Sequence, residues 1–265
     1  MKNLDRLLAV NRVDVGKFKV DVLKERLLST ELISDLSINA VTFSITEKEG
    51  QDAALDCDIL FSCVDMPLPR YTLDCLSFAN LIPVIDGGID TNPKEDLSNI
   101  DQARWKAHTI GPERICMQCL GQYKPEDAAL EMSGELDNPN YIKGLPKNHF
   151  INRGENVFGF SLSLAGMEIQ QFLSLILKPR GIYYGPKEMD FNTGNIDFEF
   201  DNECRNDCSI SQGLLGSADE INKSLIINHL AAENSRIKHE NSLVNKKNKG
   251  FYAFLKESIN SLLSF

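Results

Sequence analysis

Cys116-Met-Gln-Cys119 and Cys204-Arg-Asn-Asp-Cys208 constrain this chain more than any other pattern, because 85 positions separate the end of one thiol pair from the start of the next. A spacer of two or three residues lets both thiolates of a pair turn toward one ion, and four sulfurs complete a tetrahedral Zn²⁺ site. Such a site would tie the middle of the chain to a segment near its end. Four thiolates leave no open position for a substrate or water, so the pattern predicts a structural ion. Spacing alone leaves two alternatives open: four unlinked loop thiols, or two local disulfides.

Composition favours zinc over disulfides. Seven cysteines is an odd number, and Cys57, Cys63 and Cys75 lie in apolar surroundings. They read as small packed hydrophobes in a reducing, cytoplasmic setting. The opening Met1-Lys-Asn-Leu-Asp-Arg-Leu-Leu-Ala-Val has an apolar run too short and too charged for a secretory signal. The longest apolar stretch, 157 to 177, contains Glu168, Gln170 and Gln171 and makes a poor membrane span. A net charge of −10 argues against a general nucleic-acid surface. At 265 residues the chain can bury a real core as one large domain or as a domain with an appendage.

Helix and strand signals alternate through the first half. Apolar residues at Val15, Phe18, Val22, Leu23, Leu27 and Leu28 keep a helical period. Residues 38–45 are β-branched and aromatic enough for a strand. Ile59-Leu-Phe-Ser-Cys-Val64 predicts a strand covered on both faces. A helix is expected over 70–80, then strands over 81–85 and 105–110. Strands separated by helices imply crossover connections, hence an α/β fold with a mostly parallel, Rossmann-like sheet.

In the second half Pro125-Glu-Asp opens a helix, with proline in the first turn and acids at the positive end. Asp137-Asn-Pro-Asn and Lys143-Gly-Leu-Pro are turn chemistry. A long buried helix is expected over 157–177, stopped by Lys178-Pro-Arg-Gly. Two antiparallel strands should follow over 182–200, turning near Asn192-Thr-Gly-Asn. Ser217-Ala-Asp-Glu220 resembles a capping box before a polar helix, Asn245 to Gly250 breaks it, and 251–263 predicts a last amphipathic helix. The expected organisation is a zinc-stapled domain over 1–217 and a helical appendage over 218–265.

The chemistry should sit at strand ends, since ligands of open α/β sheets collect outside the carboxyl ends of the strands. Asp65 directly follows the apolar run ending at Val64, and Arg70 lies five residues on. Upstream, Asn3, Arg6 and Lys19 add an amide, a guanidinium and an ammonium. One carboxylate to hold Mg²⁺ and several groups to meet phosphate oxygens suit a nucleoside triphosphate losing pyrophosphate. Other polar residues have plainer readings. His108 and His149 read as surface residues near turns, Trp105 as packing, Asp86 and Asp90 as turn formers beside Gly87-Gly88, and Glu131, Glu135 and Asp137 as a solvated helix face.

The ordered series Asn3-x-x-Arg6, Val15-Gly-Lys-Phe-Lys19, Asp58-Ile-Leu-Phe-Ser-Cys-Val-Asp65 with Arg70, Pro83-Val-Ile-Asp-Gly-Gly88 and Cys116-x-x-Cys119 resembles the ThiF/MoeB/HesA family, relatives of the ubiquitin-activating enzymes. The similarity runs from about Asn3 to Cys208. It implies an adenylyltransferase that uses ATP and Mg²⁺ on the C-terminal glycine of a small ubiquitin-like or sulfur-carrier protein ending in Gly-Gly. It also implies a homodimer. By that resemblance Asn3, Arg6 and Lys19 contact ATP, Asp65 binds Mg²⁺ and nucleotide, Arg70 joins them, and Cys116, Cys119, Cys204 and Cys208 hold structural zinc. The partner's carboxylate is its own nucleophile, so catalysis is positioning plus charge stabilisation.

Two departures qualify the resemblance. The family carries a glycine-rich ATP loop and first βαβ unit before the Asn-x-x-Arg element, and no G-x-G-x-x-G occurs in this sequence. The chain is therefore expected to be a fragment, the product of a late start codon, or a subunit completed by another chain, and to bind ATP poorly or not at all alone. Residues 120–203 contain no cysteine, so the family's internal thioester acceptor is not expected either. A non-catalytic family subunit is the first alternative function. A Rossmann-type oxidoreductase is the second, disfavoured by the missing dinucleotide fingerprint.

Overall fold

The computed structural model describes residues 10–30, 35–93, 100–137, 143–144, 157–178, 185–198, 203–227 and 232–244. The sequence expectations for Asn3, Arg6, His149 and the last amphipathic segment lie outside these residues. Two compact units emerge, Ser44–Ile227 and Met1–Phe43 with Asn228–Phe265.

The smaller unit contains helix α1, Lys19–Leu28, preceded by a 3₁₀ turn Arg12–Asp14. The helix starts four residues later than its apolar period predicts because Gly16 takes φ +91, which ends any regular winding before it. Buried Asp14 accepts from Asn11 N at 2.9 Å, Lys17 Nζ at 3.3 Å and Arg26 Nη2 at 3.3 Å, closing the turn onto the helix. A helix over 232–244 brings His239 to 4.2 Å from the Phe18 ring and stacks Arg236 over Phe43 at 4.3 Å. Residues 38–43 form no strand, contrary to their β-branched composition. Propensity cannot make a strand without a ladder partner.

The larger unit holds a five-stranded sheet in the order β1 to β5: Leu60–Ser62, Val84–Pro93, Ile100–Ile110, Lys187–Asp190 and Ile196–Phe198. Only β1 and β2 run parallel, joined by the crossover helix α3, Pro67–Asn80. The β2–β3, β3–β4 and β4–β5 pairs are antiparallel, so the expectation of a mostly parallel sheet is corrected to a mixed one. The cause is legible in the chain: few residues separate β2 from β3 and β4 from β5, too few for a crossover. β1 is not covered on both faces either, since Phe61 stays 43% exposed.

Other helices are α2, Lys48–Leu55, which the apolar pattern does not announce, α4, Pro125–Met132, α5, Phe158–Leu177, α6, Ser209–Gly213, and α7, Ala218–Ile221. Proline occupies the first turn of both α3 and α4, where no intrahelical N–H bond is lost. Ser217 makes no side-chain cap, and α7 gives way to the 3₁₀ turn Asn222–Leu225.

Each face of β2–β3 has its own cover. On one, Phe160, Leu164 and Met167 of α5 pack on Ala103, Trp105 and Ala107. Trp105 stacks on Phe160 at 4.8 Å and donates Nε1–H to Ser163 Oγ at 3.1 Å, so it is packing, as expected. On the other, Leu73 of α3 joins Val84, Ile110, Met117 and Tyr123. A third cluster gathers Cys75, Leu76 and Phe78 of α3 with Cys116, Cys208, Ile210 and Leu225. α5 is long and apolar enough to cross a bilayer by length and composition. Its inward face carries buried Glu168, Gln171 and Ser174, and Gln171 bonds Thr109 and Ala107 of the sheet, which marks a core helix. It is half covered, not buried throughout: Leu162, Ile169, Leu173 and Ile176 face outward.

Candidate functional site

Asp65 sits three residues beyond the end of β1, exposed, at the carboxyl edge of the one parallel strand pair. Met66 caps and Pro67 starts α3 just beyond it, and Glu131 Oε2 of α4 accepts from Leu68 N at 2.8 Å. That bond satisfies one of the orphan donors of the α3 N-terminus. Glu131 is thus a helix cap, a correction to its reading as solvated surface.

Arg70, one turn into α3, points inward. Nη1 donates to Gln122 O and Nη2 to Gly87 O, both at 3.1 Å, and Nε lies 3.5 Å from Asp86 Oδ1. Gly87 and Gly88 make this possible on opposite sheet faces. A Cβ on Gly88 would sit 3.1 Å from Arg70 Nη2 and 2.8 Å from Gln122 Oε1, while one on Gly87 would meet Glu168 Oε1 at 2.0 Å. Asp86 is no turn former but a fully buried strand residue that accepts from Ser62 Oγ, and Asp90 also lies in β2. His108 is likewise fully buried in β3, not on the surface, and burial lowers its pKa to about 4. Glu168 is pushed up to about 7, by burial first and by Asp86 second. Lys19 is the exposed first residue of α1 in the other unit.

The four cysteines converge. The Sγ atoms of Cys116, Cys119, Cys204 and Cys208 all lie within 4.8 Å of one another, and Cys116 and Cys208 are 3.6 Å apart. Sulfurs 2.3 Å from a common zinc in a tetrahedron stand about 3.8 Å apart, so the set could close on a Zn²⁺ with small side-chain shifts. Backbone donors already aim at the sulfurs: Cys116 N at Cys204 Sγ (3.1 Å), Cys119 N at Cys116 Sγ (3.3 Å) and Ser211 N at Cys208 Sγ (3.5 Å). Hydrogen bonding with Cys116 pulls the Cys204 thiol down to about 5, and the same contact pushes Cys116 up. A metal binds such sulfurs in the thiolate form. Neither local disulfides nor unlinked thiols describe this cluster; all four are free and together.

The remaining cysteines divide. Cys75 is buried, and burial raises its thiol to about 12. Cys57 and Cys63 are exposed, contrary to their apolar neighbourhoods. Sequence reasoning missed Asp74, buried on α3 one turn beyond Arg70. It accepts from Met117 N, Gln118 N and Tyr123 Oη at 3.1, 3.2 and 3.0 Å. The i, i+4 spacing of Arg70 and Asp74 was its available signal.

The sequence model of the ThiF family matches residues 1–135. Comparison with curated proteins finds no match. Among solved structures, the crystal structure of E. coli MccB with succinimide superposes with a TM-score of 0.52 at 17% sequence identity. The superposition covers 79% of this chain and 55% of that one, so this chain spans little more than half the length of that relative. At this identity the likeness speaks for the fold.

Proposed function

Since this chain belongs to the ThiF family, we propose that it adenylates the C-terminal carboxylate of a small ubiquitin-like or sulfur-carrier protein ending in Gly-Gly. The observation that carries the reading is the position of Asp65, exposed at the carboxyl edge of the parallel β1–β2 pair and one residue before the start of α3 at its N-cap Met66. In an α/β sheet that edge is where a nucleotide is received. A carrier carboxylate oxygen attacks the α-phosphorus of ATP, the bond from that phosphorus to the bridging oxygen breaks, and acyl-adenylate and pyrophosphate result.

Asp65 would hold Mg²⁺, which when bound offsets charge on the phosphates. Asn3, Arg6 and Lys19 would supply the remaining nucleotide contacts. Arg70, whose guanidinium is engaged by Gly87, Gln122 and Asp86, positions the loop ends around that edge. Cys116, Cys119, Cys204 and Cys208 hold a structural Zn²⁺. In this reading the protein acts in the cytoplasm as a homodimer, and the uncharged outward face of α5 supports self-association.

Pyrophosphate release on adding ATP and a Gly-Gly-ended carrier protein tests the proposal. Wild type should release it; Asp65→Ala should release none while keeping its zinc. Wild type that contains zinc yet releases no pyrophosphate overturns the catalytic reading in favour of a non-catalytic subunit.

A further inference from the structure

Asp74 is a costly side chain to bury. It is 0% exposed, and among the described residues no cation pairs with it. A buried carboxylate is tolerated only where donors replace its lost water. All three of its donors, Met117 N, Gln118 N and Tyr123 Oη, belong to one short segment, the turn that begins with the Cys116–Cys119 ligand pair.

That segment is wound tightly by its own backbone. Leu120 N donates to Cys116 O at 3.1 Å, Gly121 N to Gln118 O at 3.1 Å and Gln122 N to Met117 O at 3.0 Å, with Gly121 at φ +71. These bonds leave Met117 and Gln118 N–H pointing outward, and Asp74 Oδ1 and Oδ2 take one each. Arg70, one turn earlier on the same helix, holds the Gln122 carbonyl at the far end of the segment. Two residues of α3 therefore grip both ends of the turn. The shape that aims Cys116 and Cys119 at a common point is imposed from outside.

We propose that Asp74 is a positioning residue of the metal centre: its carboxylate holds the Cys116–Cys119 turn in ligand geometry and fastens it to the helix that follows Asp65. This rests on the reading of the four cysteines as a zinc site. Groups that orient metal ligands without touching the ion typically change metal affinity by about 10- to 100-fold.

The test compares zinc-loaded wild type with Asp74→Asn and Tyr123→Phe, following zinc transfer to a chromophoric chelator and the visible spectrum of the cobalt-substituted proteins. Asparagine offers one acceptor oxygen and a donor that must face another N–H or the tyrosine hydroxyl. Asp74→Asn should release zinc about 10-fold faster or more, with a shifted cobalt spectrum. Tyr123→Phe, which removes one bond of three, should fall between. Glu131→Gln, which perturbs the start of the same helix, should match wild type in both readouts. If Asp74→Asn does not fold, Tyr123→Phe decides alone. Wild-type release and spectrum in the folded variant overturn the proposal and leave the zinc reading standing. A wild-type protein that takes up neither zinc nor cobalt overturns both.

Discussion

Asp86 Oδ2 and His108 Nε2 face each other at 3.9 Å across the β2–β3 register, and neither atom has a hydrogen-bond partner. The pair is fully buried, with Arg70 against the other carboxylate oxygen. Burial outweighs the attraction of Asp86, so His108 stays neutral down to about pH 4. An unfolded histidine takes up its proton near 6.5. Between those values the unfolded chain binds more protons, so stability from this group is complete above 6.5 and is lost as pH falls toward 4. His108→Leu removes that dependence. Urea unfolding should show the variant gaining on wild type between pH 7 and pH 4.5, by on the order of 2 kcal/mol. Taking the difference cancels the titration of the cysteines, which both proteins share. A difference independent of pH would refute the assignment.

Glu168 predicts the opposite slope. Its folded value of about 7 is raised from 4.5. The native state therefore binds more protons between those values, and the stability this group contributes is present below 4.5 and lost as pH rises through 7. Glu168→Gln keeps the shape and drops the titration. The variant should gain on wild type between pH 5 and pH 8, by on the order of 2 kcal/mol in urea unfolding. A variant that loses ground over that interval contradicts the sign.

Two helical glycines should respond in opposite directions to alanine. In a helix interior alanine is favoured by about 1 kcal/mol. At Gly166 a Cβ would meet nothing within 4 Å, so Gly166→Ala should stabilise by up to about that amount. At Gly50 the same Cβ would stand 1.9 Å from the carbonyl oxygen of Ser44. Ser44 cannot move freely, because its N–H donates to Glu47 Oε2 at 2.7 Å and its carbonyl accepts from Glu47 N at 2.9 Å. Gly50→Ala should destabilise by roughly 1–3 kcal/mol. Denaturation midpoints of the two variants moving the same way would show that propensity, not the clash, decides.

What the sequence could convey depended on range. The four-cysteine cluster was legible because chelation imposes a spacing rule within each pair, although nothing local revealed that the pairs meet. Helix α4 was legible from its proline start and α5 from its apolar run, while α3, expected over 70–80, begins three residues earlier at Pro67. The sheet's direction was not, because Val84–Pro93 and Ile100–Ile110 read as strands equally well in either pairing. Burial of polar residues was the main failure. His108 and Asp86 sit in polar-apolar alternations that usually put such residues in water, and Arg70, crossing over Gly88 on their own face of the sheet, helps close them in. The glycine pair was the available sign, since two adjacent residues without side chains on a strand mark close approach on both faces.

Metal removal should loosen the apolar cluster around the cysteines and spare the one under α5. Cys116 and Cys208 belong to the cluster with Cys75, Leu76, Phe78, Ile210 and Leu225, so a bound ion and the apolar contacts would close the same long loop. Without the ion, the 203–225 segment is tied to α3 by that packing and, among the described residues, by few polar bonds: Asn80 Nδ2 to Asn222 Oδ1 at 3.0 Å, its reciprocal at 3.1 Å and Gly216 N to Phe78 O at 3.1 Å. Zinc binds the folded arrangement far better than the unfolded thiols, so chelation withdraws folding free energy. A chelator should lower the melting temperature by about 10 °C, a few kcal/mol for a chain of this size. Hydrogen exchange should rise over 203–225 and the second half of α3. The stack of Trp105 on Phe160 contacts none of these residues, so β3 and α5 should keep their protection. Exchange rising equally in β3 would mean the ion supports the whole unit, and no change in 203–225 would mean the staple carries no stability.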